Sequence, residues 1–87
     1  MTSDDHVDGN AVGGRLIDAF GREMTDMRGC CSACGAVNAF GALIAYTHAP
    51  GDVLRCPVCE SVVLVAVAMP AGVRVSFAAL RWMQQAP

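Results

Sequence analysis

Cys31-Ser32-Ala33-Cys34-Gly35 and Cys56-Pro57-Val58-Cys59-Glu60 decide how this chain folds. Each holds a Cys-x-x-Cys pair, and residues 35 to 55 separate the two pairs. One such pair could serve as a redox dithiol. Two pairs at this separation read as four thiolates, Cys31, Cys34, Cys56 and Cys59, converging on one tetrahedral ion, with a single structural zinc as the expected metal. The two residues inside each pair let the chain curl around the ion, and backbone N–H groups of the turn then point at the sulfurs. The residue after the second cysteine often adopts a left-handed conformation, which glycine takes without strain. Gly35 meets that need. Glu60 does not, so the second turn is expected to carry either strain or a displaced left-handed residue.

The neighbours of the two pairs sharpen the ligand set. Cys30 and Cys34 would have three residues between them, whereas Cys31 and Cys34 match the spacing of Cys56 and Cys59. Cys30 is therefore read as a buried small hydrophobe or a spare thiol. His6 and His48 lie outside any ligand spacing and are read as a tail residue and a strand-end residue. Arg28 and Arg55 precede the two pairs. Each is either a counter-charge to the thiolates or a solvated strand residue, with the solvated reading favoured for Arg28 and neither favoured for Arg55.

Outward from the cysteines, turn signals and apolar periodicity predict a small metal-stabilised β-rich (α+β) fold with antiparallel hairpins. Residues 1–7 read as a flexible tail and 8–87 as one domain. Asp8-Gly9-Asn10 offers N-caps for a helix of about 11 residues, with Val12, Leu16, Ile17 and Phe20 on one apolar stripe and Gly21 as its stop. Arg22 to Arg28 is read as a short strand leading into the first pair, and Ala42 to His48 as a longer one. Ala49-Pro50-Gly51-Asp52 is a turn, Val53 to Arg55 the returning strand. Ser61 to Met69 is a β-branched strand, Pro70-Ala71-Gly72 a turn, and Val73, Val75 and Phe77 share one face of the next strand. Ser76 is placed as the cap of a short C-terminal helix carrying Leu80, Trp82 and Met83.

Composition sets the bounds on function. With 87 residues, a core this small gains from a metal. Apolar residues make up 54% of the chain and charged residues 16%, which fits a globular protein with apolar surface left over for a partner or a second copy. The formal charge is -2 with neutral cysteines, and four thiolates around a divalent ion add a further -2. Lysine is absent, and Arg15, Arg22, Arg28, Arg55, Arg74 and Arg81 are scattered, so nucleic acid takes second place as a ligand. The acidic start lacks an export signal, and Val62 to Met69 is too short to cross a bilayer. The cysteine usage suits a reducing cytosol, which is the expected location.

The pattern Cys31-x2-Cys34-Gly35 with Cys56-Pro57-x-Cys59 resembles a zinc ribbon, in which two knuckles on β-hairpins clamp one ion. Rubredoxins share that pattern and bind iron, but this chain lacks their usual glycine after the second pair and most of their aromatic core. Over nearly the whole chain from about residue 8, Asp8-Gly-Asn-Ala11, Cys31-x2-Cys34-Gly35, Ala49-Pro-Gly51, Leu54-Arg-Cys-Pro-x-Cys59 and Leu80-Arg-Trp82 resemble a family of small, uncharacterised actinobacterial zinc-ribbon proteins. The resemblance implies fold and metal and carries no activity.

A closed four-thiolate shell leaves no position for substrate, and the sequence has no phosphate loop, catalytic triad or paired carboxylates. The expectation is a non-catalytic zinc module that binds another protein or a second copy. The alternatives are a nucleic-acid-binding ribbon and a redox protein, either an iron electron carrier or an oxidation-sensitive accessory. For the partner-facing role Trp82 and Met83 are candidates, while Phe40 and Tyr46 are assigned to the core.

Overall fold

The structure, a computed structural model, describes residues 6–48 and 51–85. In chain order the elements are β1 (His6–Asp8), a 3-10 turn (Gly9–Val12), α1 (Gly13–Phe20), β2 (Arg28–Cys31), β3 (Val37–Ala39), a second 3-10 turn (Phe40–Ala42), β4 (Ile44–His48), β5 (Gly51–Arg55), β6 (Val62–Met69), β7 (Gly72–Phe77) and β8 (Leu80–Gln84). They form two antiparallel sheets, one ordered β1-β4-β5-β6-β7 and the other β3-β2-β8. The expected tail residues 1–5 and the Ala49-Pro50 part of the expected turn lie outside the described residues.

The larger sheet follows from β-branched strands joined by short turns. His48 pairs with Gly51 and Met69 with Gly72, so both hairpins close over two residues. Register puts Ala45, Leu54, Leu64 and Phe77 in one row across β4 to β7, and Thr47, Asp52, Ala66 and Val75 in the next row on the same face. Helix α1 covers this face: Leu16 is fully buried, Val12 is buried, and the Phe20 ring lies 6.2 Å from that of Phe77. The expected helix spans the first 3-10 turn plus α1 and ends at Gly21 with φ 76. Ile17, which the sequence places in the apolar stripe, is 41% exposed, because the helix meets the sheet along Leu16 and Phe20.

The opposite face of that sheet carries Ile44, Tyr46, Val53, Val62, Val65 and Val67. All six are half-buried, and none belongs to the core cluster around Leu16, Phe40, Leu54 and Leu64. The expected core role of Tyr46 is therefore corrected, since it stands in the row of Val53 and Val65. Phe40 is fully buried, as expected.

Three expectations change at the smaller sheet and the first edge strand. His6 and Val7, placed in the tail, pair with Tyr46 and Ala45 as part of β1. Residues 22 to 27 are loop and turn, with only Arg28 of the expected strand in β2. Leu80–Gln84 is a strand where a capped helix was expected. Ala78 and Ala79 donate to the carbonyls of Val63 and Val62, which steers the chain off β7 and alongside β2. There β8 satisfies the second edge of β2, and a helix would leave those donors and acceptors unpaired. Ser76 lies within β7, opposite Val65.

The two 3-10 turns pack backbone against backbone. A Cβ at Gly9 would lie 1.9 Å from the Phe40 carbonyl oxygen, and one at Gly41 would lie 2.4 Å from Asn10 Oδ1. This contact joins the entrance of α1 to the segment that seats Phe40. Gly9→Ala should destabilise the chain by about 1–3 kcal/mol through overpacking against backbone that cannot yield. Denaturant unfolding of the variant reads this directly, and an unchanged midpoint would contradict the packing.

Candidate metal centre

Each cysteine pair sits where a strand gives way to a tight turn. Cys31 ends β2, and Gly35 N–H donates to the Cys31 carbonyl at 2.8 Å while Cys31 N–H donates to Ala36 O at 2.9 Å. The second turn repeats this pattern: Glu60 N–H donates to Cys56 O at 2.8 Å and Cys56 N–H to Ser61 O at 2.9 Å. The pairing of each incoming strand shifts register just before its turn, between Cys30 and Cys31 against β8 and between Leu54 and Arg55 against β6, with the extra residues, Arg81 and Val63, on the partner strands. Such bulges bend and twist the bulged strand locally.

The result is a tight group of sulfurs. Cys31, Cys34, Cys56 and Cys59 place their Sγ atoms within 4.8 Å of one another. Across the two turns, Cys31 Sγ lies 3.6 Å from Cys59 Sγ and Cys34 Sγ 3.7 Å from Cys56 Sγ. All are free thiols. A tetrahedron with metal–sulfur bonds of about 2.3 Å has sulfur–sulfur edges of about 3.8 Å. The four cysteines named from the sequence therefore could hold a metal ion, and the chemistry of the donor set suits a soft or borderline cation. Among the described residues they are the sole group of three or more such ligands. Cys31 and Cys56 are buried, whereas Cys34 and Cys59 face solvent.

The surroundings set the charge state of the sulfurs. Hydrogen bonds from the Ser61 hydroxyl, then from the Ser61 N–H, pull the Cys59 thiol down to about 6. At Cys34 the largest single influence, the Ala36 N–H, also lowers the value. Burial and the thiols of Cys56, Cys59 and Cys31 together outweigh it and push Cys34 up to about 12. Val58 N–H donates to Cys56 Sγ at 3.4 Å. Four sulfurs this close resist full ionisation on their own. A divalent cation removes that resistance, and protons compete with it for the same sulfurs.

Glu60 is left-handed, with φ 66, so strain rather than a displaced left-handed residue is the outcome in the second turn; Gly35 has φ 81. Arg55 braces that turn. Its Nη1 donates to Glu60 O at 2.9 Å, and its guanidinium lies 5.7 Å from the Tyr46 ring centroid. Neither of the readings left open for Arg55, thiolate counter-charge or solvated residue, describes that role. Arg28 is exposed at the start of β2. Cys30 is buried outside the sulfur group, its thiol directed at Gly35 O at 3.6 Å. The bulges and the Arg55 brace were not legible in the sequence, because both depend on which strand pairs with which.

Two outcomes follow from this geometry. Serine at any one of Cys31, Cys34, Cys56 or Cys59 should abolish stoichiometric metal binding and lower the unfolding midpoint, whereas Cys30→Ser should keep one metal per chain. Elemental analysis of the purified variants decides between them. Glu60→Gly removes a left-handed cost of about 1–2 kcal/mol and adds about 0.5–1 kcal/mol of backbone entropy. It should therefore leave the chain equally stable or up to ~1.5 kcal/mol more stable, and a clear loss in denaturant unfolding would contradict strain at this residue.

No curated protein and no solved structure gives a significant match to the chain. The model of one family does match it, over residues 3–87. The four cysteines, both sheets and the helix all lie inside that span, and the chain belongs to DUF6510, a family of unknown function.

Proposed function

We propose that this chain is a non-catalytic zinc module of the zinc-ribbon type that docks on another protein. Four cysteines on two short turns suit zinc or iron, and zinc is favoured because the second turn lacks the glycine, and the chain most of the aromatic core, that rubredoxins use. In this reading the cation is structural. Four thiolates fill its tetrahedral shell and leave no site for substrate water. A reducing cytosol would keep the sulfurs available.

The observation that carries the docking role is the outer face of the larger sheet. Ile44, Val53, Val62, Val65 and Val67 are contiguous, aliphatic and outside the core cluster. Trp82 and Met83 on β8 add exposed apolar surface, at 41% and 43% exposure. Contiguous apolar surface of this kind on a small domain commonly marks an interaction site. The scattered arginines give a nucleic-acid role little electrostatic support.

Metal analysis and affinity capture from the native host test the proposal together. One zinc per colourless chain is expected, with a reproducible protein partner or a stable self-complex. Val65→Asp should weaken that association at least about tenfold while zinc content stays at one. Red protein with one iron would redirect the reading to electron transfer. A monomer with no reproducible partner would overturn the docking role.

A further inference from the structure

The four sulfurs fall into two contacting pairs. Cys31 Sγ meets Cys59 Sγ at 3.6 Å and Cys34 Sγ meets Cys56 Sγ at 3.7 Å, each contact running from one turn to the other. Each joins a buried sulfur, of Cys31 or Cys56, to one that faces solvent, of Cys59 or Cys34. A small oxidant arriving from solvent therefore reaches one member of a pair and leaves the second beside it. Both turns are already closed by backbone hydrogen bonds, Gly35 N–H to Cys31 O in the first and Glu60 N–H to Cys56 O in the second. Bonds between the turns would draw sulfurs already in contact to the ~2.05 Å of a disulfide and reopen neither turn.

Cys30 stands outside this arrangement. It is buried, and its thiol is directed at Gly35 O rather than at another sulfur. The group thus holds an even number of sulfurs, and the fifth cysteine is sheltered from both solvent and exchange. What the contacts would join also matters. Cys31 and Cys34 follow β2 of the smaller sheet, whereas Cys56 and Cys59 lie between β5 and β6 of the larger one. Disulfides between the turns would fasten the same two sheets that a cation held by the four sulfurs would fasten. Disulfides within each turn would fasten neither.

We infer that the sulfur group is a peroxide-sensitive switch, in which hydrogen peroxide converts it to the disulfides Cys31–Cys59 and Cys34–Cys56, so that the cation is given up while the two sheets stay fastened. This rests on the reading of the group as a metal centre. In each pair the solvent-facing thiolate attacks one peroxide oxygen, the O–O bond breaks, and a sulfenic acid and a hydroxide form. The buried thiolate then attacks the sulfenic sulfur and expels its hydroxyl as a second hydroxide. Both hydroxides take up a proton and leave as water. The pair gives two electrons to one peroxide, and the second pair does the same with another. Neither disulfide retains a thiolate to ligate a metal. In a reducing compartment, exchange with free thiols returns the four sulfurs to their starting state.

Titration of the reduced, zinc-loaded full chain with hydrogen peroxide tests this, with a colorimetric chelator reading the zinc set free. Release should be complete at about two equivalents of peroxide per chain, and dithiothreitol with added zinc should restore the starting state. Trypsin cuts after Arg28, Arg55 and Arg74, which puts Cys30, Cys31 and Cys34 on peptide 29–55 and Cys56 and Cys59 on peptide 56–74. After alkylation and digestion of the oxidised chain, mass spectrometry should find these peptides joined. Fragmentation should place the links at 31–59 and 34–56, with Cys30 as the sole alkylated thiol. The oxidised, metal-free chain should unfold at a higher denaturant concentration than the reduced, metal-free chain. Separate peptides each lighter by two hydrogens, links in any other pattern, zinc retained under peroxide, or an oxidised chain no more stable than the reduced one would each overturn the switch. A reduced protein without zinc would instead overturn the metal reading, and the switch with it.

Discussion

The mutual approach of four sulfurs contributed by two separate turns is the constraint on which the rest depends. Cys31 and Cys34 belong to the turn that follows β2, Cys56 and Cys59 to the turn between β5 and β6. The close pairs run across the turns, 31 with 59 and 34 with 56, so the cluster links the smaller sheet to the larger. Thiol groups packed this way share only weak S–H···S hydrogen bonds, and their ionised forms repel. A cation held there would convert that repulsion into attraction and would let a chain with a core of this size hold its two sheets in fixed relation.

The chain distributes its apolar residues unevenly around this clasp. One face of the larger sheet meets α1 and contributes Leu54 and Leu64 to the core, while the opposite face offers valines outside the core cluster. The molecule measures 36 × 34 × 19 Å, and its thin dimension is that of two packed layers. A third layer on the valine face would complete a three-layer sandwich.

Much of this was legible in the residues themselves. The sulfur group follows from spacing, the helix stop from Gly21, and the β5, β6 and β7 strands from β-branched runs punctuated at Pro70 and Gly72. These are local signals, each decided within a few residues. What escaped is non-local. His6 and Val7 become a strand only because β4 has a free edge, and Val37–Ala39 only because β2 does. Leu80-Arg-Trp-Met carries no helix-breaking residue, and its strand form comes from pairing with Arg28–Cys31 far back in the chain. At the site the spacing named the four cysteines that come together and flagged Glu60. Asp52 read as a turn residue, and only the register of β5 between β4 and β6 reveals it as a buried charge.

The pairing of β2 with β8 has a consequence for how the molecule is made. During synthesis Arg28–Cys31 leaves the ribosome long before Leu80–Gln84, and Cys31 and Cys34 emerge well ahead of Cys56 and Cys59. The β5–β6–β7 hairpins are local and can close as they appear, but β2 has only β3 beside it until the last strand arrives. For that interval an exposed strand edge sits next to two free thiols, a state open to mispairing with other nascent chains. Early capture of the cation by all four cysteines would draw the waiting strand toward the hairpins and shorten the search by β8.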